Sequence, residues 1–163
     1  MSSEVCALAA DTRVETPEGA MTIRSVAGKA IAVFTRDGGG RTRFRMMQDV
    51  RKLAEQQPVL TITLESGHAF RVAPQQVLYK AGMIECRADA LQDGDALEPM
   101  FHYPAAYRYR DDVTASERAS AASLTVARVE PGGSADLYGL RVNQTGCFFL
   151  SAGVLCKADA APT

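Results

Sequence analysis

The side chains that usually hold metals are scarce in this chain of 163 residues: two histidines, His68 and His102, and four cysteines, Cys6, Cys86, Cys147 and Cys156. No two cysteines form a CxxC pair, and the usual zinc spacings do not occur, so neither a metal site nor another cofactor is expected. Long apolar runs are missing as well. None approaches the roughly 18–20 residues that a bilayer span requires, and the opening Met1-Ser-Ser-Glu-Val-Cys-Ala-Leu-Ala-Ala has no basic region and too short an apolar stretch for a signal peptide. The expectation is a protein without a membrane partner, cytoplasmic by default. A surplus of one charge is also lacking: the formal net charge is −1, which gives no electrostatic reason to bind DNA, RNA or an anionic surface. Several glycine-rich stretches are present, but none opens a helix after a strand as a phosphate loop must, and they read as turns.

What is present is one domain's worth of alternating, β-branched sequence. The length suits a single domain over residues 1–163, expected to be monomeric. Runs at Thr12–Thr16, Ala30–Thr35, Pro58–Leu64, His68–Val72, Val77–Tyr79, Met83–Arg87, Leu124–Glu130, Ala135–Val142, Cys147–Leu150 and Val154–Lys157 are separated by turn signals such as Pro17-Glu-Gly19, Asp37-Gly-Gly-Gly40, Gln92-Asp-Gly-Asp95 and Pro131-Gly-Gly133. That spacing predicts an all-β fold of short antiparallel strands with at most short helices. Phe44–Leu53 carries both periods: Phe44, Met47, Val50 and Leu53 recur at helical spacing, whereas Phe44, Met46 and Val50 suit a strand, which is preferred. Tyr107–Ser123 is polar and rich in alanine and serine, with a capping-box pattern at Thr114–Glu117, and reads as a flexible loop or short helix. Residues 158–163 read as a tail. Two stretches, Val14–Arg24 and Ile62–Arg71, echo one another as strand, glycine turn and strand ending in arginine, as in a pair of related hairpins.

Cys6 is the one side chain that points to covalent chemistry, and its neighbourhood carries a resemblance. Cys6-Ala-Leu-Ala-Ala-Asp-Thr12-Arg-Val-Glu-Thr-Pro-Glu-Gly19 resembles the opening block of the Hint (hedgehog/intein) family. Met83–Leu97 resembles the family's segment through its Gly-Asp turn, and Asp136–Val142 with Phe148–Leu155 resembles its closing strands. Together these stretches extend over nearly the whole chain. The resemblance implies a pseudo-twofold β horseshoe that brings the N-terminal cysteine beside the closing strands, with residues 107–123 at the insertion position, too short for an endonuclease. It further implies that Cys6 attacks the carbonyl of Val5, turning the Val5–Cys6 peptide bond into a thioester. Such a step needs a proton for the leaving nitrogen and donors for the oxyanion.

The motifs are degenerate. Against the family's Thr-x-x-His, Ala73 replaces the threonine and Gln76 the histidine; Gln76 donates hydrogen bonds but exchanges no proton near neutral pH. Gly139 stands where many inteins have aspartate, Gly146 where histidine is usual, and Lys157-Ala158 where the terminal His-Asn pair belongs. Alanine cannot cyclise, so full protein splicing is not expected. The candidate catalytic residues are Cys6 and Gln76, with Lys80 and Lys157 as alternative proton carriers. The expected activity is at most an N-to-S acyl shift and self-cleavage at Val5–Cys6, with the flanking polypeptide before Cys6 as partner. The alternative is a catalytically inactive Hint scaffold that serves as a binding or structural module of a larger protein. Cys147 and Cys156 lie on strands expected to approach Cys6, either as core cysteines or as a disulfide partner for it. His68 and His102 match no family position. Arg41, Arg43 and Arg45, with Tyr107-Arg-Tyr-Arg110, read as solvated surface given the balanced charge.

Overall fold

The computed structural model describes residues 6–98 and 124–159. The expectations for Tyr107–Ser123, including its capping box, and for His102 lie outside the described residues. Among the described residues, eleven strands and two short 3₁₀ turns, Ile23–Val26 and Ala88–Ala90, make up the regular structure. The strands are β1 (Leu8–Ala9), β2 (Arg13–Thr16), β3 (Gly19–Thr22), β4 (Ile31–Arg36), β5 (Thr42–Leu64), β6 (Ala69–Val72), β7 (Val77–Lys80), β8 (Ile84–Arg87), β9 (Val126–Val142), β10 (Cys147–Phe149) and β11 (Leu155–Lys157). Every named strand pair is antiparallel.

The largest sheet runs β4-β5-β6-β1-β9, and β9 also pairs with β5. The cycle β5-β6-β1-β9 therefore closes on itself and leaves β1 no free edge. β1 is consequently buried on both faces. Cys6, Leu8 and Ala10 enter the main core with Val72, Leu140 and Phe148, while Ala7 and Ala9 pack on the other side with Val59, Ala73 and Leu137. β7 and β8 join β11 and β10 in a second sheet, and β2 and β3 form a separate hairpin. Both members of the sequence echo are hairpins: Val14 pairs with Met21, and Ile62 with Phe70.

β5 explains the double periodicity of Phe44–Leu53. Its ladder to β9 shifts register between Gln48 and Arg51, and Asp49 there has φ 58°. A bulge adds one residue to a two-residue repeat, so the inward side chains Met47 and Val50 fall three apart. The segment is a strand, and its helical spacing comes from that bulge. Another shift, between Ala54 and Gln57, coincides with φ 48° at Gln56.

Pro131-Gly-Gly133 does not break the chain as the turn signal predicts; β9 runs through it without interruption. Pro131 sits opposite Leu60, beside a register shift between Pro58 and Leu60, where its missing N–H disrupts little. Gly132 permits the close approach of the two strands, since a Cβ there would meet Thr61 Oγ1 at 2.4 Å and Thr61 N at 2.9 Å. Glycine is used here for backbone contact. The C-terminal expectation also shifts: Ala158 and Asp159, at the start of the expected tail, are both 2% exposed, and the Asp159 N–H donates to the carbonyl of Leu140.

Candidate active site around Cys6

Three segments from elsewhere in the chain close over Cys6 and Ala7, the two residues before β1. The Ala7 carbonyl accepts from the Ala73 N–H at 2.9 Å, just beyond β6. The Ala7 N–H donates to Oε1 of Gln76 at 2.7 Å. The Cys6 N–H donates to Oδ1 of Asp159 at 2.9 Å. The nitrogen that would leave in an acyl shift thus rests on a buried carboxylate from the end of the chain's last described segment.

Gln76 is fully buried. Its Nε2 donates to the carbonyls of Val77, at 2.8 Å, and Lys157, at 3.0 Å. One side chain therefore ties β1 to β11 and spends both ends of its amide on backbone groups. The two lysines lie elsewhere: Lys157 Nζ reaches Glu85 Oε1 at 3.0 Å, and Lys80 Nζ lies 3.7 Å from Asp95 Oδ1. Only the Lys157 carbonyl belongs to the site.

Asp159 and Arg51 were not legible as site residues. Asp159 Oδ2 accepts from Arg51 at 3.1 Å, so the carboxylate is shared between a guanidinium on β5 and the Cys6 amide. Gly139 makes room for it: a Cβ at Gly139 would lie 3.0 Å from Asp159 Oδ2 and 3.2 Å from the Cys6 carbonyl oxygen. The sequence signal was the loss of a side chain at Gly139 paired with an acid two residues past Lys157.

The Cys6 thiol shares this enclosure. Burial pushes its pKa well above the ordinary thiol range, and the nearby Asp159 and Cys156 push the same way; a hydrogen bond from the Leu140 backbone and the charge of Arg51 act against them. Cys156 packs in the same core as Cys6, and burial raises its pKa too. Cys147 does not meet Cys6: its sulfur contacts Thr35 Oγ1 and the Arg36 carbonyl, in a separate cluster with Tyr79, Phe149 and Leu155. All four thiols are free.

The Asp11-Thr12 pair is structural. Asp11 Oδ1 lies 3.0 Å from Arg71, and Thr12 Oγ1 donates to the Arg71 carbonyl, locking the opening block to β6. Two clefts lie elsewhere. One, of about 550 Å³, is lined by Asp11, His68, Arg71 and Ser151 among others; the second, of about 620 Å³, by Phe44, Asp49 and Arg141 among others. Neither is lined by Cys6, Gln76 or Asp159. Among the described residues no three His, Cys, Asp or Glu side chains cluster as a metal would need, and no helix is long and apolar enough to cross a membrane.

Solved structures with the same overall fold are known. A variant of the Ssp DnaB mini-intein superposes with a TM-score of 0.75 at 13% identity, covering 99% of both chains. The chain has the Hint/intein-like fold. A DnaB intein from Synechocystis sp. PCC 6803 matches with a TM-score of 0.71 at 11% identity, over 94% of this chain and 99% of that one. The bacterial intein-like domain from Clostridium thermocellum matches with a TM-score of 0.64 at 18% identity, over 93% and 98%. No protein-family profile matches the sequence, and no curated protein does. At such identities the likeness fixes the Hint fold and leaves the chemistry to the residues.

Proposed function

We propose that this is an autoprocessing-type Hint domain whose chemistry is confined to its upstream junction, an N-to-S acyl shift at Val5–Cys6. The observation that carries the reading is the hydrogen bond from the Cys6 N–H to the buried Asp159 carboxylate, with the Cys6 thiol in the same enclosure. In the step, Sγ bonds to the Val5 carbonyl carbon, the C–N bond breaks, and the proton lost by sulfur is matched by one gained at nitrogen. The products are a thioester and a free α-amine. Thiolysis or hydrolysis of the thioester then releases whatever precedes Cys6, once per chain.

The same surroundings make the reaction slow. A thiol raised by burial is a scarce thiolate at neutral pH, and Gln76 supplies no proton, so a general-acid contribution of about 10²–10⁴ in rate is absent from its position. Gln76 acts here as a positioning residue that fixes the Ala7 N–H. Ala158 stands where a cyclising asparagine belongs, so ligation of flanking segments does not follow.

A second reading, a catalytically inactive scaffold, is favoured by one observation: the Gln76 amide is consumed entirely by backbone partners. A reporter fused before Val5 separates the two. Incubated with dithiothreitol and followed by intact mass, the fusion is expected to release the reporter over hours to days, while a Cys6→Ala fusion stays whole. Equal persistence of both fusions would leave the scaffold.

A further inference from the structure

We infer that Asp159 is the proton-carrying group of this site, a carboxylate delivered from beyond the closing strand into the space that the missing side chain at Gly139 leaves open. The inference rests on the acyl-shift reading. Three observations meet at this carboxylate. Its Oδ1 lies 2.9 Å from the nitrogen that must be protonated. Its Oδ2 is held by Arg51 at 3.1 Å, which fixes the carboxylate plane. Its side chain is 1% exposed, so no bulk solvent competes for the nitrogen.

The space it fills is defined from the other side. A Cβ on Gly139 would come within 3.0 Å of Asp159 Oδ2 and of Leu53 Cδ1, so the Asp159 carboxylate sits in close contact with the place a side chain at 139 would start and would have to give way to one. Position 139 carries no side chain, and an aspartate twenty residues later in the chain brings its carboxylate to 3.0 Å from where a Cβ at 139 would stand. The backbone arrangement supports this exchange, because the Asp159 N–H is anchored on the Leu140 carbonyl, one residue from Gly139.

The chemistry balances without a co-reactant. In the resting amide the nitrogen lone pair is delocalised and its N–H points at Oδ1. When Sγ adds to the Val5 carbonyl, the nitrogen becomes pyramidal and basic while the thiol proton is released. Asp159 takes up that proton and returns it to the nitrogen as the C–N bond breaks, ending as the carboxylate it began as. No electron is gained or lost.

The test uses the reporter fusion with thiol-induced cleavage as readout, alongside the pH titration of the Cys6 backbone amide followed by ¹⁵N–¹H NMR. Asp159→Asn keeps an acceptor for the Cys6 N–H and removes the proton carrier; it is expected to slow cleavage by about 10²-fold and to abolish the carboxylate-linked shift of the Cys6 amide. The double variant Gly139→Asp with Asp159→Ala returns a carboxylate from the other side and is expected to recover cleavage to within about tenfold of the native chain. It also serves if Asp159→Asn does not fold, because position 139 lies opposite Arg51 in the β5–β9 ladder and a carboxylate is retained on that partner. Cleavage of Asp159→Asn at the native rate would overturn the role of Asp159 while the acyl shift stands, as would a relocated carboxylate in a folded double variant that restores nothing. A native fusion that never cleaves would remove the acyl shift and the proton carrier together, a result told apart by the native control.

Discussion

Two backbone N–H groups beside β1, those of Cys6 and Ala7, each depend on a single side chain, which makes the residue scale the place where the site is most easily taken apart. Gln76 is the clearest instance. Replacement by alanine strips the Ala7 N–H and the Val77 and Lys157 carbonyls of their partner in a buried setting, and a loss of about 2–4 kcal/mol is expected by urea titration; a loss under half of that would mean water refills the position. Thiol reactivity follows exposure. Cys86 is half-buried whereas Cys6, Cys147 and Cys156 are enclosed, so timed iodoacetamide labelling read by mass should modify Cys86 first and Cys6 about 10²-fold more slowly. Labelling of Cys6 as fast as Cys86 would contradict the enclosure. The raised thiols also set a pH dependence. Cys6 and Cys156 keep their protons in the folded chain to higher pH than in the unfolded chain, so their contribution to stability is complete below the ordinary thiol value of about 9 and is lost as pH rises above it. Urea midpoints at pH 8 and pH 10 should fall for the native protein, and fall less for Cys156→Ala.

Elements carry the closed cycle, and here close backbone contact matters more than side-chain chemistry. Gly132→Ala places a methyl against Thr61 Oγ1 and Thr61 N; a cost of about 1–3 kcal/mol is expected. Thr61→Ala in the same chain should recover only part of it, since the Thr61 backbone nitrogen stays 2.9 Å from the added carbon. Between the sheets, the buried pair of Arg36 and Glu98, 2.6 Å apart with Glu98 Oε1 also accepting from Gly82 N–H, leaves no room for a lone charge. Glu98→Ala should cost about 3–5 kcal/mol in thermal or urea unfolding. The sequence showed these elements unevenly, for identifiable reasons. Strands with one wet face, such as Arg13–Thr16 and Ala69–Val72 with their alternating burial, read directly as strands. β1 left no such mark, because Ala7 and Leu8 are buried on opposite faces and no polar residue alternates with them. The long β9 was divided in two by Pro131-Gly-Gly133, a local turn signal that a bulge and a close strand contact override.

At the scale of the whole molecule, the closing of β5-β6-β1-β9 brings a residue near the start of the chain against one near its end: Cys6 and Asp159 are 153 positions apart and share a hydrogen bond. That meeting explains which part of the site was visible beforehand. Cys6 and Gln76 lie in short segments that resemble local motifs of the Hint family, and that resemblance marked their positions. Asp159 and Arg51 acquire meaning only when the void at Gly139 is seen from inside the fold, and no local pattern announces a void. The central claim is that this fold delivers the Cys6 thiol to the bond upstream of it. Hydroxylamine tests it most directly, because it captures a thioester as a hydroxamate. In the native reporter fusion, mass spectrometry should find a released fragment ending in a Val5 hydroxamate, absent from the Cys6→Ala fusion. A fusion that yields no Val5 hydroxamate after prolonged incubation, with the domain still folded, would contradict the account.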